Sequence, residues 1–313
     1  MSGVPLVQRI AGAADLRSLF EAVGLAGECI LVKPNWFSLH PGNYTGAEVL
    51  DLVLAALPGR AIVVESYTGM RHDGGRKITP KNGRSHWDWL RQQDAWFLAT
   101  TGIGDVLARH GAEFVNVTEA VWSGRGAPEA EVATRVEACY GAIDQPELYR
   151  YVPQRLFDLA GCPLLSLARY KPTWSLSLQN LFGLIPDPLR DRWHGIRDRD
   201  LGRSIVNIAT IYHALFRTVG LVETLAPFPV YHPGGQYHTP WGDYDLRPAA
   251  GVVICGTSLP AVDAAAARAF GADPAQLEYL QLAEGRLGNW REGLGAAMPP
   301  ELAELRGLSE GDE

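Results

Sequence analysis

The stretch PLLSLARYKPTWSLSLQNLFGLIP, residues 163–186, carries the strongest structural signals in the chain. The apolar run 163–168 is too short for a helix and is bounded by turn-forming residues, which is typical of a strand buried on both faces of a parallel sheet. Lys171 and the proline after it end this strand. A short helix is predicted to follow, with Thr173 or Ser175 accepting from its free amides. We therefore expect a central strand that leads into a polar turn and a helix.

Other apolar runs extend this sheet. Three of them indicate further buried strands: 29–32, 61–64 and 251–255. The segment 219–225 indicates an edge strand. Segments with helical spacing of apolar residues lie between these runs, which implies that right-handed crossovers connect parallel strands. The predicted fold is α/β, with a three-layer, mostly parallel sheet, helices on both faces and loop insertions, in a single domain over 1–313.

Some segments depart from this pattern. They are insertions near 68–84, 119–148 and 226–248, and a tail over 285–313. The first is rich in glycine and basic residues, which favours a mobile lid able to recognise phosphate or carboxylate, or a solvated loop. The second is small and acidic without clear periodicity, and we interpret it as an excursion such as a β-flap. The third is a loop dense in polar aromatic residues.

Composition narrows the class of protein. A hydrophobic content of 47% is ample for a core, and a net charge of −7 argues against nucleic acid or an anionic membrane as the main partner. We find no N-terminal signal pattern and no apolar run approaching about 18 residues, so we expect a cytoplasmic protein. The four cysteines form no Cys-x-x-Cys pair, which argues against a zinc or iron–sulfur framework. We expect a small-molecule substrate, and a homodimer stays open.

The usual cofactor motifs are also missing. No Gly-x-Gly-x-x-Gly follows a strand, and the chain has neither a Walker loop nor a Gly-x-Ser-x-Gly elbow. Nicotinamide, nucleotide-triphosphate and serine-hydrolase chemistry are therefore unsupported. We expect no cofactor and no metal.

Lysine placement is informative because only four of the 28 basic residues are lysines. Lys33 and Lys171 each follow a predicted buried strand, where a charge needs a partner or a ligand. Glu65 and Ser66 follow another strand. The carboxyl ends of parallel strands meet at one edge of the sheet, where open α/β sheets usually bind ligands. The expected cluster consists of Lys33, Asn35, Glu65, Ser66, Lys171 and Asn180.

A lysine beside a carboxylate in a partly dry cleft has a tunable proton affinity. Such a pair suits proton transfer or the electrostatic anchoring of an enolate or carboxylate. A structural ion pair that ties loops together is the alternative interpretation. The expected roles are oxyanion stabilisation by Lys171 and Lys33, proton transfer by Glu65 or His194, and orientation by Asn35 and Asn180.

Histidines form a second candidate group. His194, His232 and His238, with Tyr237 beside the last, have three open interpretations. They bind a divalent metal, act as an acid and a base, or have no role.

Trp36, Trp174 and Trp241 lie in loops predicted to surround the pocket, where they would hold a large, partly apolar substrate. The expected substrate-binding residues are Asn35, Trp36, Ser66, Trp174, Asn180, Tyr237, His238 and Trp241.

Four separated blocks resemble one known family. They are ILVKPN (30–35), VVES (63–66), Lys171 with SLQNLFGLIP (177–186) and His194, and AVDAAAA (261–267) with GADP (271–274). In order and spacing, over roughly residues 28–284, they resemble the family catalogued as domain of unknown function 362. The resemblance implies no activity, because the family name carries none.

The chain departs from that family in ways that bear on function. Many members carry an iron–sulfur ferredoxin module, which nothing here could hold, and this weakens a redox interpretation. The usual pattern also has a histidine shortly after the central lysine, where this chain has Thr173 and Trp174. A glycine-rich acidic block near 222–240 is replaced by Glu223 and the loop 231–241. These departures suggest a pocket reshaped toward aromatic and apolar contacts.

The sequence therefore predicts a cofactor-independent enzyme that uses acid/base and electrostatic catalysis. Dehydration, conjugate addition, cyclisation and isomerisation of a sizeable organic acid, enol-like compound or natural product are the expected reaction types. Two alternatives stay open. One is a metal-dependent enzyme using His194, His232 and His238, and the other is a non-catalytic protein that binds a small molecule.

Overall fold

The structure, a computed structural model, describes residues 3–40, 42–67, 84–171, 176–186, 190–227, 230–239 and 242–305. Its strands are β1 (Leu6–Arg9), β2 (Cys29–Lys33), β3 (Arg60–Glu65), β4 (Glu113–Asn116), β5 (Pro163–Arg169), β6 (Arg217–Glu223), β7 (Val230–Thr239), β8 (Gly242–Arg247) and β9 (Val252–Gly256). Its α-helices are α1 (Ala13–Ala22), α2 (Ala47–Ala56), α3 (Trp87–Thr100), α4 (Ile103–Arg109), α5 (Val117–Trp122), α6 (Glu129–Tyr140), α7 (Gln154–Phe157), α8 (Ser177–Phe182), α9 (Arg190–His194), α10 (Leu201–Leu215), α11 (Leu259–Ala269), α12 (Glu278–Ala283) and α13 (Pro300–Ala303). Short 3-10 helices cover Arg84–His86, Pro146–Tyr151, Ile196–Asp198, Pro274–Gln276 and Trp290–Gly295.

Within these residues, seven strands form a central sheet in the order β1-β9-β6-β5-β2-β3-β4. The five strands from β6 to β4 run parallel to their neighbours, and β9 pairs antiparallel with both β6 and β1. Helices cover both faces, so the predicted three-layer α/β fold is confirmed. β5 lies at the middle of the sheet, as its continuous apolar run indicates.

The two faces of β5 explain why its apolar run is unbroken. Successive side chains of a strand point to opposite faces of the sheet. Leu164 packs into a core that includes Leu178 of α8 and Ile208 of α10. Leu165 packs into the opposite core, with Phe20 of α1. A strand covered on both sides requires apolar residues at successive positions, which the sequence supplies.

The sequence predictions for the insertions need correction. The expected β-flap over 119–148 is wrong, because this segment contains the end of α5 and all of α6. Val132 and Val136 of α6 lie four residues apart and pack into the same core as Leu164. The loop predicted at 226–248 contains the antiparallel hairpin β7–β8, a separate two-stranded sheet. Most of the predicted lid, 68–83, lies outside the described residues.

The strand predicted at the edge is not at the edge. β6 lies between β5, with which it pairs in parallel, and β9, with which it pairs antiparallel. The sequence does not reveal this because β9 is distant along the chain and reaches β6 only after the hairpin. β1 pairs with the other side of β9 and forms the edge of the sheet there.

A fully buried ion pair links the middle of the sheet to the loop after β2. Arg169 at the end of β5 and Glu223 at the end of β6 are both 0% exposed, with 2.6 Å between Arg169 Nη1 and Glu223 Oε1. Arg169 Nε also donates to the Gly42 carbonyl at 3.0 Å, and Glu223 Oε2 accepts from the Leu225 amide at 2.7 Å. These contacts satisfy both charges and fix the loop that follows β2 against β5.

Glu223→Gln should lower the free energy of unfolding by about 3–5 kcal/mol, because it leaves the Arg169 charge buried without its counter-charge. Urea denaturation at pH 7 measures the loss. The matched control is Glu301→Gln, which breaks the exposed pair between Arg9 and Glu301 and should cost about 1 kcal/mol or less. Equal, small losses for the two variants would contradict the argument.

Candidate functional site

The candidate site lies at the carboxyl ends of three neighbouring parallel strands. β2 lies between β5 and β3 in the sheet, so the residues that end these strands are neighbours. Lys33 ends β2, Glu65 ends β3, and Lys171 lies just beyond β5. The sheet topology therefore brings together the strand tips that the sequence analysis singled out.

Lys33 is a buried ammonium group surrounded by oxygen acceptors. Its Nζ donates to Glu65 Oε2 at 2.5 Å, to the Pro34 carbonyl at 2.7 Å and to Asn180 Oδ1 at 3.2 Å. The side chain is only 2% exposed, so these oxygens replace the water that the charge loses. Lys33 therefore holds the Glu65 carboxylate in place.

Asn180 reinforces this pair from the next helix. Its Nδ2 donates to the Lys33 carbonyl at 2.8 Å and to Ser166 Oγ at 3.1 Å, while its Oδ1 accepts from the ammonium group. The amide thus ties α8 to both β2 and β5. Gly183, just after α8, leaves room for the lysine, since a Cβ there would lie 2.9 Å from Lys33 Nζ.

The helix α8 is capped by a residue far along the chain. The buried Asp263 of α11 accepts from the Ser177 amide at 2.7 Å, from Ser177 Oγ at 2.5 Å and from the Leu178 amide at 3.0 Å. These bonds satisfy the free amides at the start of the helix. Burial raises the pKa of the Asp263 carboxyl to about 7, while the three donors act in the opposite direction. Thr173 and Ser175, the predicted caps, lie outside the described residues.

Lys171 lies just beyond the end of β5, in an environment that differs from that of Lys33. Its side chain is 1% exposed, and its Nζ donates to Asn43 Oδ1 at 2.6 Å and to Asn35 Oδ1 at 3.4 Å. Burial, followed by the positive charges of Arg169 and Lys33, lowers the pKa of the Lys171 amine to about 7. Near neutral pH this amine is therefore partly uncharged.

A cavity of about 130 Å³ opens beside Glu65. It is lined by Lys33, Asn35, Trp36, Phe37, Glu65, Gln179, Asn180, Phe182, Gly183, Arg190 and His194. An apolar cavity of about 150 Å³ is large enough for benzene. This cavity therefore fits a small group, such as the reacting end of a larger molecule.

A larger groove of about 850 Å³ runs along β4, which is at one edge of the sheet. Its Glu113 is bound by Arg155 at 2.7 and 2.8 Å, and its Glu119 by Arg91 at 2.6 Å. We place the site at the smaller cavity instead, because the chemically distinctive strand tips meet there.

Two predicted substrate-binding residues, Trp36 and Ser66, form hydrogen bonds within the protein. Trp36 is 1% exposed, and its Nε1 donates to the Thr45 carbonyl at 3.1 Å, although one part of the side chain lines the cavity. Ser66 Oγ donates to the Gly183 carbonyl at 2.5 Å and accepts from Arg190 Nη2. Ser66 is not among the cavity-lining residues.

His194 ends α9 and is partly exposed at the cavity. Its Nδ1 lies 2.7 Å from Asp198 Oδ1, and its ring makes an edge contact with the ring of Phe182 at 5.1 Å between centroids. The carboxylate and the aromatic edge hold the imidazole at the cavity wall. His194 therefore adds an imidazole to the described lining, which also contains the Glu65 carboxylate.

The hairpin β7–β8 does not bring Tyr237 or His238 to this cavity. Tyr237 stacks on Tyr244 at 5.1 Å between centroids, and the side chain of His238 is 76% exposed and bonds Asp243 at 2.8 Å. The predicted positions Trp174 and Trp241, and the side chain of His232, lie outside the described part of the chain.

Among the described residues, no three His, Cys, Asp or Glu side chains are grouped so that they could hold a metal ion. The metal alternative stays a prediction, since it also involves His232. Over the same residues, no helix is both long enough and apolar enough to span a bilayer.

Comparison with known proteins gives no relative. No family model, curated protein or solved structure matches the chain.

Sequence reasoning missed several residues that build this site. Asn43 was not singled out because its distance from Lys171 along the chain gives no sign of contact. Arg190 resembles any other arginine of an arginine-rich chain. Asp263 appears in a block of the family resemblance, where a carboxylate in an alanine-rich apolar helix is a usable signal, but its partner on α8 is set only by packing.

The free energy of unfolding of the wild type, minus that of Lys171→Met, should increase between pH 7 and about 10. In this range the amine is mostly neutral in the fold and protonated in the unfolded chain, whose ordinary lysine pKa is 10.5, so the unfolded state binds more protons. Chemical denaturation at several pH values measures this difference. A pH-independent difference would show that burial does not shift this lysine.

Asp263→Asn should destabilise the protein by about 1–3 kcal/mol, because the carboxamide cannot accept from the helix amides with both of its terminal atoms. Thermal and urea unfolding measure the change. The control is Asp273→Asn, the same substitution at an exposed cap that accepts from the Ala275 amide, where Asn and Asp are nearly equivalent. Comparable losses at both positions would argue against the buried cap.

Proposed function

We propose that the protein is an enzyme that performs acid/base chemistry at the cavity beside Glu65. The expected reactions are dehydration, conjugate addition, cyclisation or isomerisation of a sizeable organic or natural-product substrate, without a cofactor. The observation that carries the proposal is a buried carboxylate, bonded to a buried lysine, on the wall of a cavity large enough for a small reacting group.

The role of Glu65 in this proposal is to accept and return a proton. Its Oε1 accepts from the Ser66 amide at 3.1 Å and its Oε2 accepts from Lys33. These bonds fix the carboxylate before a substrate arrives, which is what efficient proton transfer requires. The adjacent ammonium group places a positive charge where an enolate or alkoxide would develop.

His194 supplies a second proton-transfer group on the same cavity. Elimination, addition and isomerisation each require a proton to be removed at one atom and delivered at another. A carboxylate and an imidazole on separate elements, β3 and α9, meet that need. Asn35 and Gln179 add neutral hydrogen-bonding groups to the lining.

Lys171 supports the cavity indirectly in this scheme, through its hydrogen bond to Asn35. It is not among the lining residues, and it bonds Asn35, which is. Of the two lysines predicted to stabilise an oxyanion, Lys171 and Lys33, this scheme retains Lys33, which lines the cavity. A cytoplasmic location and a homodimer belong to the same proposal.

Glu65→Gln should reduce turnover by about 100- to 10,000-fold, the usual contribution of a general acid or base. A direct assay is deuterium incorporation from D2O into small 2-oxo and 3-oxo acids, followed by proton NMR, because proton abstraction next to a carbonyl exchanges that hydrogen. Glu301→Gln, in an exposed pair, serves as the control and should keep the wild-type rate.

Wild-type exchange that persists in Glu65→Gln would remove Glu65 from the mechanism. A protein that binds these acids tightly and exchanges none of them would instead favour a non-catalytic binding role.

A further inference from the structure

The charges that line the cavity do not cancel. Lys33 and Glu65 neutralise each other through their 2.5 Å contact. Arg190 remains, 9% exposed, and no carboxylate among the described residues forms an ion pair with it. The described lining residues therefore carry an excess positive charge that is almost completely removed from water.

Every acceptor that Arg190 bonds among the residues with described positions is neutral. Its Nε donates to the Ile185 carbonyl at 3.3 Å, and its Nη2 donates to the carbonyls of Gly183 at 2.9 Å, Ile185 at 3.1 Å and Tyr67 at 3.3 Å. Nη2 also donates to Ser66 Oγ. These bonds occupy one side of the guanidinium group and fix its orientation.

The other side of the guanidinium group is unused. An arginine carries five N–H donors, and the two on Nη1 have no acceptor within the described residues. A buried cation is usually paired with an anion, because carbonyl dipoles alone offset only part of its lost hydration. A pre-oriented guanidinium group with an unused edge, on a residue that lines a cavity, is therefore suited to an anionic guest.

We propose that Arg190 binds the carboxylate of the substrate through Nη1. This inference rests on the proposed function only for the reaction that the substrate undergoes. The binding of a carboxylate by Arg190 does not depend on it. The lysines predicted to anchor such an anion are engaged elsewhere, Lys33 with Glu65 and Lys171 with Asn35 and Asn43. Within the part of the chain that the structure describes, Arg190 is the lining cation that remains for the substrate.

A monoanion fits this wall better than a dianion. A phosphate dianion brings one negative charge more than Arg190 balances, while a carboxylate brings only one. The aromatic residues Trp36, Phe37 and Phe182 are also in the lining. The preferred ligand is therefore a carboxylic acid whose carboxylate is attached to a compact aryl or alkyl group.

The test is a fluorine NMR titration of the protein with 4-fluorobenzoate and with the neutral 4-fluorobenzamide, which has nearly the same shape. Wild type should bind the acid about tenfold or more tightly than the amide, because only the acid forms charge-assisted hydrogen bonds with Arg190. Arg190→Gln should remove this preference. Arg192→Gln, an exposed arginine on the same helix, should retain it.

Equal affinity of wild type for the acid and the amide overturns the proposal, as does an unchanged preference in Arg190→Gln. Methyl phosphate provides a further arm. It should bind about tenfold or more weakly than the benzoate, and tighter binding of the phosphate would overturn the assignment to a carboxylate.

Should Arg190→Gln fail to fold, wild-type protein still decides the question. Crystals soaked with 4-bromobenzoate locate the ligand by the anomalous signal of bromine. The expected result places the carboxylate within hydrogen-bond distance of Arg190 Nη1. A carboxylate bound only to surface arginines overturns the proposal.

Binding and turnover separate this inference from the proposed function. Glu65→Gln should bind 4-fluorobenzoate at least as tightly as wild type, since it removes a nearby negative charge. Tight, Arg190-dependent binding together with full turnover in Glu65→Gln would reject the acid/base role and keep the anion site. Turnover that depends on Glu65, together with equal binding of the acid and the amide, would keep the acid/base role and reject the anion site.

Discussion

A buried lysine and a buried carboxylate are stable only when every polar atom of the pair has a partner, and this constraint organises the site. Lys33 and Glu65 meet because their strands are neighbours in parallel register, so that both end at the same edge of the sheet. The third acceptor of the ammonium group is Asn180, which requires α8 to lie against that edge. The ion pair therefore depends on the sheet and on the position of one short helix at the same time.

Support for the pair comes from two directions. On one side, Asp263 caps α8 from α11 and so fixes the helix that carries Asn180. On the other side, Arg169 binds the Gly42 carbonyl, and the adjacent Asn43 accepts from Lys171. Both supports rely on charged or polar groups that are fully buried. Such groups are costly unless fully bonded, so they restrict the site to one geometry.

The cavity that results has an uneven distribution of charge. Lys33 is paired with Glu65, and the same described lining includes Arg190, whose guanidinium group is only partly bonded within the described residues. Aromatic residues are among the other described lining residues. The combination suits a molecule that has an anionic end to be anchored, an apolar body to be buried and a proton to be moved. An acid/base group and an anion anchor on one small cavity thus serve a single ligand.

The sequence by itself determined the sheet and the residues at its tips. Unbroken apolar runs identify strands buried on both faces, and parallel crossovers require their ends to meet, so Lys33, Glu65 and Asn180 could be grouped without coordinates. It did not determine the helical state of α6 or the central place of β6, because packing rather than local pattern decides both. Only the tertiary structure showed which lysine holds Glu65, what caps α8, and that Arg190 reaches the cavity. Those facts depend on contacts between residues far apart in the chain, and local spacing carries no information about such contacts.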